Sequence, residues 1–210
     1  MAKQQNDFRE ATGEETYWTN GAFAGMPTYQ LGARYPHYYI KKLDQLLRFL
    51  PRPADYLFLY FLGFYVLMLA MRIDTRLAVL GALGFGLSTY LVIILGVGHN
   101  AKAHAIAYMP LVLAGILWVF QGRYLQGFTL TAVAMALEIN ASHPQMTYYL
   151  LFSVLIFGVF QMIEAWREKG LPVFFKKVGI LLGAVILSIG VNSTSLMATR
   201  EYAAQSTRSA

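Results

Sequence analysis

The sequence predicts an all-α integral membrane protein with about six transmembrane helices, preceded by an outer loop that carries an amphipathic interfacial helix. Of its 210 residues, 57% are hydrophobic and only 13% are charged, whereas soluble domains carry about a quarter charged residues. The apolar residues also fall in blocks of roughly 16 to 22, the length that a helix needs to cross about 30 Å of hydrocarbon. These two observations exclude an ordinary soluble domain.

Residues 1–54 form the predicted extracytoplasmic loop. The stretch DFREATGEETYWTNGAFAGMPTYQLGARYP is polar, aromatic and rich in glycine, without a helical period, which predicts an ordered loop with exposed aromatic side chains. The next stretch, YIKKLDQLLRFL, predicts an amphipathic helix near residues 39–50 that lies flat at the membrane surface. Its apolar face holds Ile40, Leu43, Leu46, Leu47 and Leu50, and its polar face holds Lys41, Lys42, Asp44, Gln45 and Arg48.

The polytopic membrane domain is predicted at residues 55–198, and residues 199–210 are predicted to begin a further outer segment. The six spans are predicted at residues 55–71, 77–98, 105–120, 124–140, 147–166 and 178–198. In the second span, Ala82/Gly86 and Gly84/Ser88 are pairs of small residues at the spacing that permits close helix contact in lipid.

The basic residues of the connecting segments predict the orientation of the chain. One set of connections holds Arg72, Arg76, Arg123, Arg167, Lys169, Lys176 and Lys177, whereas the alternate set holds Lys102. Because cytoplasmic loops carry the excess of lysine and arginine, the second set faces outward. The net charge of +6 then reflects basic loops beside anionic lipid, and no nucleic-acid partner is expected.

Polar residues gather at the predicted outer ends of the spans. They are His99, Asn100, Lys102 and His104 in one loop, Asn140, Ser142, His143 and Gln145 in the next, and Asn192, Ser193, Thr194, Arg200 and Glu201 at the end of the last span. Glu138 lies about one turn below this face, inside a span, where an ionisable group is costly unless it has a partner. The outer surface of the bundle is therefore the predicted functional face.

Four segments, EETYWTNGAFAGMPTYQLGARYP, GVGHNAKAHAIAYMP, LEINASHPQMTYYL and NSTSLMATREYAAQSTR, carry a resemblance to a known family. In this order and spacing they resemble the YfhO family of bacterial membrane proteins, in the form found in Bacteroidota. The family is grouped with the type-C glycosyltransferases, which transfer a sugar from a polyprenyl-phosphate carrier on the outer face of the membrane. The resemblance implies a multi-pass protein of the bacterial inner membrane whose functional face is periplasmic.

The resemblance also implies partners and missing parts. The partners would be membrane lipid, a lipid-linked sugar donor, and a glycan, lipid or protein acceptor. The family has a first span and a main acidic residue upstream of the positions present here, and further spans beyond residue 210. We therefore expect this chain to be the central fragment of such an enzyme and to be inactive alone.

Sugar transfer needs a base for the acceptor proton, together with cations or N–H donors for the leaving phosphate. On this implied chemistry, Glu138 and His104 are the candidate catalytic residues. The candidates for binding the donor phosphate or other substrate groups are His99, Asn100, Lys102, His143, Gln145, Asn192 and Arg200, with Trp18 and Asn20 as candidate sugar contacts.

Most of these candidates also have a structural interpretation. His99 and His104 can serve in structural hydrogen bonds. Lys102 is typical of a lysine that snorkels to the interface, Glu138 of a buried acid paired with Lys102 or a histidine, and His143 of a turn at a helix boundary. Arg200 can pair with Glu201 or a lipid headgroup, and the aromatic residues can anchor the chain at the interface.

No cofactor motif and no metal-ligand motif occurs, and the absence of cysteine excludes thiolate sites. A divalent cation stays an open alternative at the histidine loop, although the spacing of His99 and His104 places them on different faces of a helix. Two other functions also stay open: a transporter or flippase for a lipid-linked or anionic solute, and a non-catalytic membrane scaffold.

Overall fold

The computed structural model describes residues 2–21, 25–29 and 37–204, and divides the chain into two compact units. The terminal unit combines the chain up to Tyr39 with the chain from Asn192 onward, and the helical unit runs from Ile40 to Val191. In chain order the elements are α1 (Ala2–Thr12), β1 (Trp18–Thr19), β2 (Met26–Pro27), α2 (Tyr39–Leu47), α3 (Ala54–Ala70), α4 (Thr75–Gly86), α5 (Thr89–Gly96), α6 (Asn100–Phe120), α7 (Tyr124–Asn140), α8 (Pro144–Arg167), α9 (Leu171–Val191) and α10 (Ser193–Ala204). The all-α fold class is confirmed, with one two-residue strand pair among the described elements.

The terminal unit contains α1, the antiparallel pair β1–β2, and α10. Trp18 lies opposite Pro27 in the pair, and the Thr28 amide donates a hydrogen bond of 2.9 Å to the Tyr17 carbonyl. The helix α1 was not predicted, because its sequence lacks apolar residues at helical spacing. It is held by polar contacts instead, such as the bond of 2.5 Å from the Thr19 hydroxyl to Gln4. The predicted loop also covers residues 22–24 and 30–36, which lie outside the described residues.

The helix α6 forms the centre of the helical unit. It packs against α3 on one side and α7 on the other, while α4 packs on α3 and α9 on α7. Within the most apolar window of each helix, 67% of α6 is buried inside the structure, but only 11% of α8 and of α9. The large apolar side chains of α8 and α9 therefore face outward, as lipid-facing surfaces do.

Small residues allow α6 to touch its neighbours at the backbone. A Cβ atom added at Gly115 of α6 would collide with the side chain of Thr131 on α7, and one at Gly127 would lie 2.7 Å from the Gly115 carbonyl oxygen. On the other side, a Cβ at Gly63 of α3 would lie 2.8 Å from the Ala107 carbonyl oxygen. Such close approach is how helices associate where hydrocarbon removes the hydrophobic driving force.

Three described helices are long and apolar enough to cross a membrane: α6, α8 and α9. The pair α4 and α5 would count as a fourth if taken as one span with a bend of 46°, and α3 is a shorter apolar helix. The chain is therefore a membrane protein by the length and composition of its helices. Six spans, and an interfacial position for α2, stay predictions.

Several predicted boundaries were wrong, most clearly that of the last span. The span predicted at residues 178–198 is α9, which begins at Leu171 and ends at Val191, and α10 follows. The paired lysines had suggested a loop, but Lys177 lies inside α9 and donates a hydrogen bond of 2.8 Å to the Phe120 carbonyl. A lysine at a helix end can thus stay in the helix when a neighbouring helix offers an acceptor.

The second and third predicted spans also differ from the structure. The stretch 77–98 is interrupted at Leu87 and Ser88, between α4 and α5. Of its small residues, Ala82 and Gly86 are buried as expected, whereas a Cβ at Gly84 would meet nothing within 4 Å. The helix α6 begins at Asn100, so most of the predicted outer loop is helical.

Short connections make successive long helices run in opposite directions. Residues 121–123 join α6 to α7, and the glycine contact between these helices shows that they lie side by side. The beginnings of α6 and α8 therefore lie at the same end of the helical unit as the end of α7. The beginning of α3 lies there too, because the Tyr56 ring of α3 is 5.6 Å from the His104 ring of α6. We call this the histidine end, and we call the opposite end, where residues 71–74, 121–123 and 168–170 connect the helices, the basic end.

Candidate functional site: a buried aspartate cluster

Asp44 of α2 is the centre of a polar cluster at the histidine end. It is 1% exposed, and its carboxylate contacts side chains of α2 and α6. Its Oδ1 lies 2.5 Å from His104 Nε2 and accepts a hydrogen bond of 2.7 Å from the Tyr108 hydroxyl. Its Oδ2 accepts bonds of 3.0 and 2.8 Å from Nε and Nη2 of Arg48. Both oxygens of a buried carboxylate are thus satisfied, as burial of a charge requires.

The same arginine connects the cluster to the start of α3. Arg48 Nη1 lies 3.3 Å from Asp55 Oδ2, and Asp55 Oδ1 accepts a bond of 2.9 Å from the Tyr56 amide. Asp55 is 2% exposed, and Arg52 Nε lies 4.0 Å from it. We define the aspartate cluster as Asp44, Arg48, Asp55, His104 and Tyr108, which together join α2, α3 and α6.

Helical spacing explains how the cluster forms. Arg48 lies one turn after Asp44 on the same side of the chain, and Tyr108 lies one turn after His104 on α6. Residues one turn apart point to the same face of a helix. Each helix therefore presents two polar groups to the other, and the contact is made when α2 packs beside α6.

Electrostatics favours the charged form of Asp44. Burial by itself would raise the pKa of Asp44, but the hydrogen bond and charge of His104, with the bonds from Arg48 and Tyr108, hold that pKa below its ordinary value. Burial would likewise lower the pKa of Arg48, whereas the carboxylate of Asp44 raises it above the ordinary value. The pair is therefore ionised at neutral pH.

The contact with Asp44 orients the His104 ring. The N–H at Nε2 can donate to Asp44 Oδ1, and in the neutral form of the ring the other nitrogen, Nδ1, then has a lone pair that can accept a proton.

The position of Asp44 corrects the sequence interpretation. The sequence pattern predicts it on the polar face of the amphipathic helix, together with Arg48. The spacing of Asp44 is the local sign of its burial, since Asp44 lies about one turn after the buried Ile40 and about one turn before Leu47. The pattern of α2 alone could not show that His104 offers a partner, because that residue is 60 positions away.

The other predicted residues of the first outer loop do not join this cluster. His99 and Asn100 are exposed at the start of α6. Lys102 is half-buried on the side of α6 that faces α5, and its Nζ lies 5.2 Å from the centre of the Tyr90 ring. Thus His104 and Lys102 lie on different faces of one helix, as residues two positions apart must.

Glu138 lies at the same end but has different surroundings from those expected. It is 0% exposed, and its carboxylate oxygens lie 2.9 and 3.0 Å from the Thr147 hydroxyl. The expected pairing with Lys102 or a histidine was wrong: in the part of the chain that is described, no ion pair to Glu138 occurs. The sequence pattern does not identify Thr147 as its partner.

The loop between α7 and α8 keeps its predicted polar residues near Glu138. His143 precedes α8 at the N-cap position, with Pro144 in the first turn, so the predicted helix boundary is confirmed. Its Nδ1 is buried and lacks a hydrogen-bond partner among the described atoms. Gln145 is exposed and donates a bond of 2.9 Å to the Tyr149 hydroxyl.

The remaining candidates belong to the terminal unit. Asn192 is 1% exposed and accepts a bond of 3.3 Å from the Tyr38 hydroxyl. Trp18 is 54% exposed, and its indole N–H donates a bond of 2.9 Å to Asn20 Oδ1. Arg200 lies exposed on α10. Within the described ranges, no group of three metal-ligating side chains occurs.

Comparison with known protein families, with characterised proteins and with solved structures finds no match to this chain.

Proposed function

We propose that this chain forms the central membrane part of a type-C-like glycosyltransferase that transfers a sugar from a polyprenyl-phosphate donor at the outer face of the bacterial inner membrane. The observation that carries the proposal is the contact between Asp44 and His104, which lies at the end of a bundle of apolar helices. A base at the membrane surface is what attack on a lipid-linked sugar requires.

In the proposed reaction, His104 is the base for the acceptor hydroxyl. Asp44 accepts the Nε2–H hydrogen bond, fixes the orientation of the ring and leaves Nδ1 free to take the proton. The positive charge that then forms on the imidazole lies beside a carboxylate, which stabilises it. This is the general arrangement in which a base is oriented by a third group.

The leaving phosphate is assigned to the start of α6. The first turn of a helix presents N–H groups without partners inside the helix, and its dipole favours an anion. Lys102 adds a cation on the α5 side, while His104 lies on the opposite side of the same turn. A sugar phosphate above the end of α6 would therefore lie between cation and base, beside the exposed His99 and Asn100.

The test is sugar transfer by the intact protein reconstituted in lipid, with a panel of polyprenyl-phosphate sugars as donors. His104→Gln and Lys102→Gln should each lower transfer by about a hundredfold. Lys176→Gln is the matched control, because the Lys176 ammonium lies 5.0 Å from the Tyr124 ring at the basic end. It repeats the lysine–tyrosine contact of Lys102 at a place where no chemistry is proposed, and transfer should be unchanged.

Equal loss in Lys102→Gln and Lys176→Gln would show that a general effect on folding, and not phosphate binding, explains the result. Absence of transfer from every donor, with folded protein, would refute the glycosyltransferase function.

One observation favours a second candidate, a transporter for a lipid-linked or anionic solute. The helices α4 and α5 meet at a bend of 46° around Leu87 and Ser88, and transporters use interrupted helices to form sites inside the membrane. Movement of a polyprenyl-phosphate sugar across protein-containing vesicles, without cleavage of the donor, would establish this alternative.

A further inference from the structure

A groove of about 280 Å³ lies between α3 and α4, on the outer surface of the helical unit. Its α3 wall is formed by Phe58, Phe61, Leu62 and Tyr65, and its α4 wall includes Val79 and Leu83. The wall from Phe58 to Tyr65 is about 10 Å long, at about 1.5 Å of rise per residue. An apolar groove of this length suits part of a single hydrocarbon chain.

The groove is bounded where the two helices touch. A Cβ atom at Gly86 would lie 2.5 Å from the Phe61 ring, and one at Gly81 would lie 2.7 Å from the end of the Met68 side chain. The close approach of α4 to α3 at these two glycines limits the width of the groove, which suits a single hydrocarbon chain.

A cation lies at the start of α3, the helix whose side chains form one wall of the groove. Asp55, Phe58 and Leu62 follow one face of α3 at helical spacing, and Arg52 Nε lies 4.0 Å from the Asp55 carboxylate. The Arg52 side chain is 58% exposed, and its guanidinium carbon lies 5.5 Å from the centre of the Tyr56 ring. The Phe49 ring packs on Phe58 at 5.4 Å and adds an apolar contact beside this end of the groove.

We propose that this groove binds one acyl chain of an anionic phospholipid whose phosphate lies against Arg52. An exposed guanidinium at one end of an apolar groove matches a molecule with an anionic head and a hydrocarbon tail. A phospholipid site of this kind anchors α3, and with it Asp55 of the aspartate cluster, to the surrounding bilayer. It does not depend on the glycosyltransferase function.

The experiment is lipid retention, measured by native mass spectrometry. The intact protein is equilibrated with equal amounts of phosphatidylglycerol and phosphatidylcholine and then partly delipidated. Wild type should keep one phosphatidylglycerol in about tenfold preference. Val79→Trp should remove that lipid by filling the groove, whereas Leu80→Trp should not, because Leu80 is 66% exposed on the same helix and does not line the groove.

The charge requirement is tested separately. Arg52→Gln should abolish the preference for phosphatidylglycerol, and Arg76→Gln, an exposed arginine at the basic end, should leave it intact. If Val79→Trp does not fold, Leu83→Trp replaces it, since Leu83 lines the same groove.

Three results would overturn the proposal. Wild type could hold both lipids equally, or the lipid could stay in both groove-filling variants. Alternatively, an equal amount of polyprenyl phosphate could displace phosphatidylglycerol, which would assign the groove to the sugar carrier instead.

Discussion

Asp44 and His104 are 60 positions apart in the chain, yet Oδ1 of one lies 2.5 Å from Nε2 of the other. This contact joins a short amphipathic helix to the central helix of the bundle. With Arg48 on the second carboxylate oxygen, it forms an ion-pair network in which each charge is compensated by its neighbours.

Removal of the Asp44 carboxylate should destabilise the protein. Asp44→Ala leaves Arg48 half-buried without its principal partner and His104 without an acceptor, and the expected loss is about 3–5 kcal/mol in the free energy of unfolding. The measurement is reversible unfolding in mixed detergent micelles. Gln45→Ala, at the exposed neighbouring position, is the control and should change stability by about 0.5 kcal/mol or less. Similar losses in the two variants would exclude a special role for the network.

Stability should also fall in acid through Asp44. Because its folded-state pKa lies below the unfolded value, the carboxylate's contribution is complete above about pH 4 and is lost as the pH falls through the folded-state pKa. The melting temperatures of wild type and Asp44→Asn should therefore converge between pH 7 and pH 2. Gln45→Ala, at an exposed position without a titratable group, should show no such convergence. A difference in melting temperature between wild type and Asp44→Asn that stays constant with pH would show that the Asp44 carboxylate is not the cause of the loss in acid.

The contact between α6 and α7 should tolerate no added methyl group. Gly115→Ala places a carbon against Thr131 of the facing helix, and overpacking of this kind costs about 1–3 kcal/mol. At Gly158 on α8 a Cβ would meet nothing within 4 Å, so Gly158→Ala should leave stability unchanged or slightly increased. Thermal unfolding of both variants in the same detergent gives the comparison. A neutral Gly115→Ala would show that the helices lie further apart.

Loss of the Thr147 hydroxyl should destabilise the protein more than loss of the Thr147 methyl group. Thr147→Val keeps the shape but removes the hydroxyl that lies 2.9 Å from buried Glu138 Oε1, which should cost about 1–3 kcal/mol. Thr147→Ser restores the donor and should recover most of the loss. The free energy of unfolding of the two variants distinguishes hydrogen bonding from packing, because Thr147→Val lacks the hydroxyl and Thr147→Ser lacks the methyl group. Equal losses in both would contradict a special role for the hydrogen bond.

The orientation of the chain in the membrane can be tested by labelling single introduced cysteines, because this sequence has none of its own. Gln145→Cys at the histidine end and Arg123→Cys at the basic end both replace exposed residues. We expect an impermeant thiol reagent to label Gln145→Cys in cells with a permeabilised outer membrane, and Arg123→Cys only after lysis. The reverse pattern would place the aspartate cluster in the cytoplasm.

Local patterns predicted several elements well and others poorly. The stretch at residues 124–140 has a continuous apolar pattern, and α7 has those bounds. At Lys176 and Lys177 the charge pattern suggested a loop, but the acceptor that keeps Lys177 in α9 is the Phe120 carbonyl of another helix. A boundary that depends on a partner elsewhere in the chain cannot be read from the residues around it.

The same distinction applies to the candidate site. The sequence by itself determined that the protein is helical and apolar enough for a membrane, and it indicated His104 and Glu138, because a polar residue in an apolar segment is visible locally. Only the tertiary structure decided which polar residues meet. It buried Asp44 beside His104, placed Lys102 over Tyr90 and gave Glu138 a threonine as its partner. The physical reason is that composition and period depend on neighbouring residues, whereas the partner of a buried charge is set by how distant helices pack.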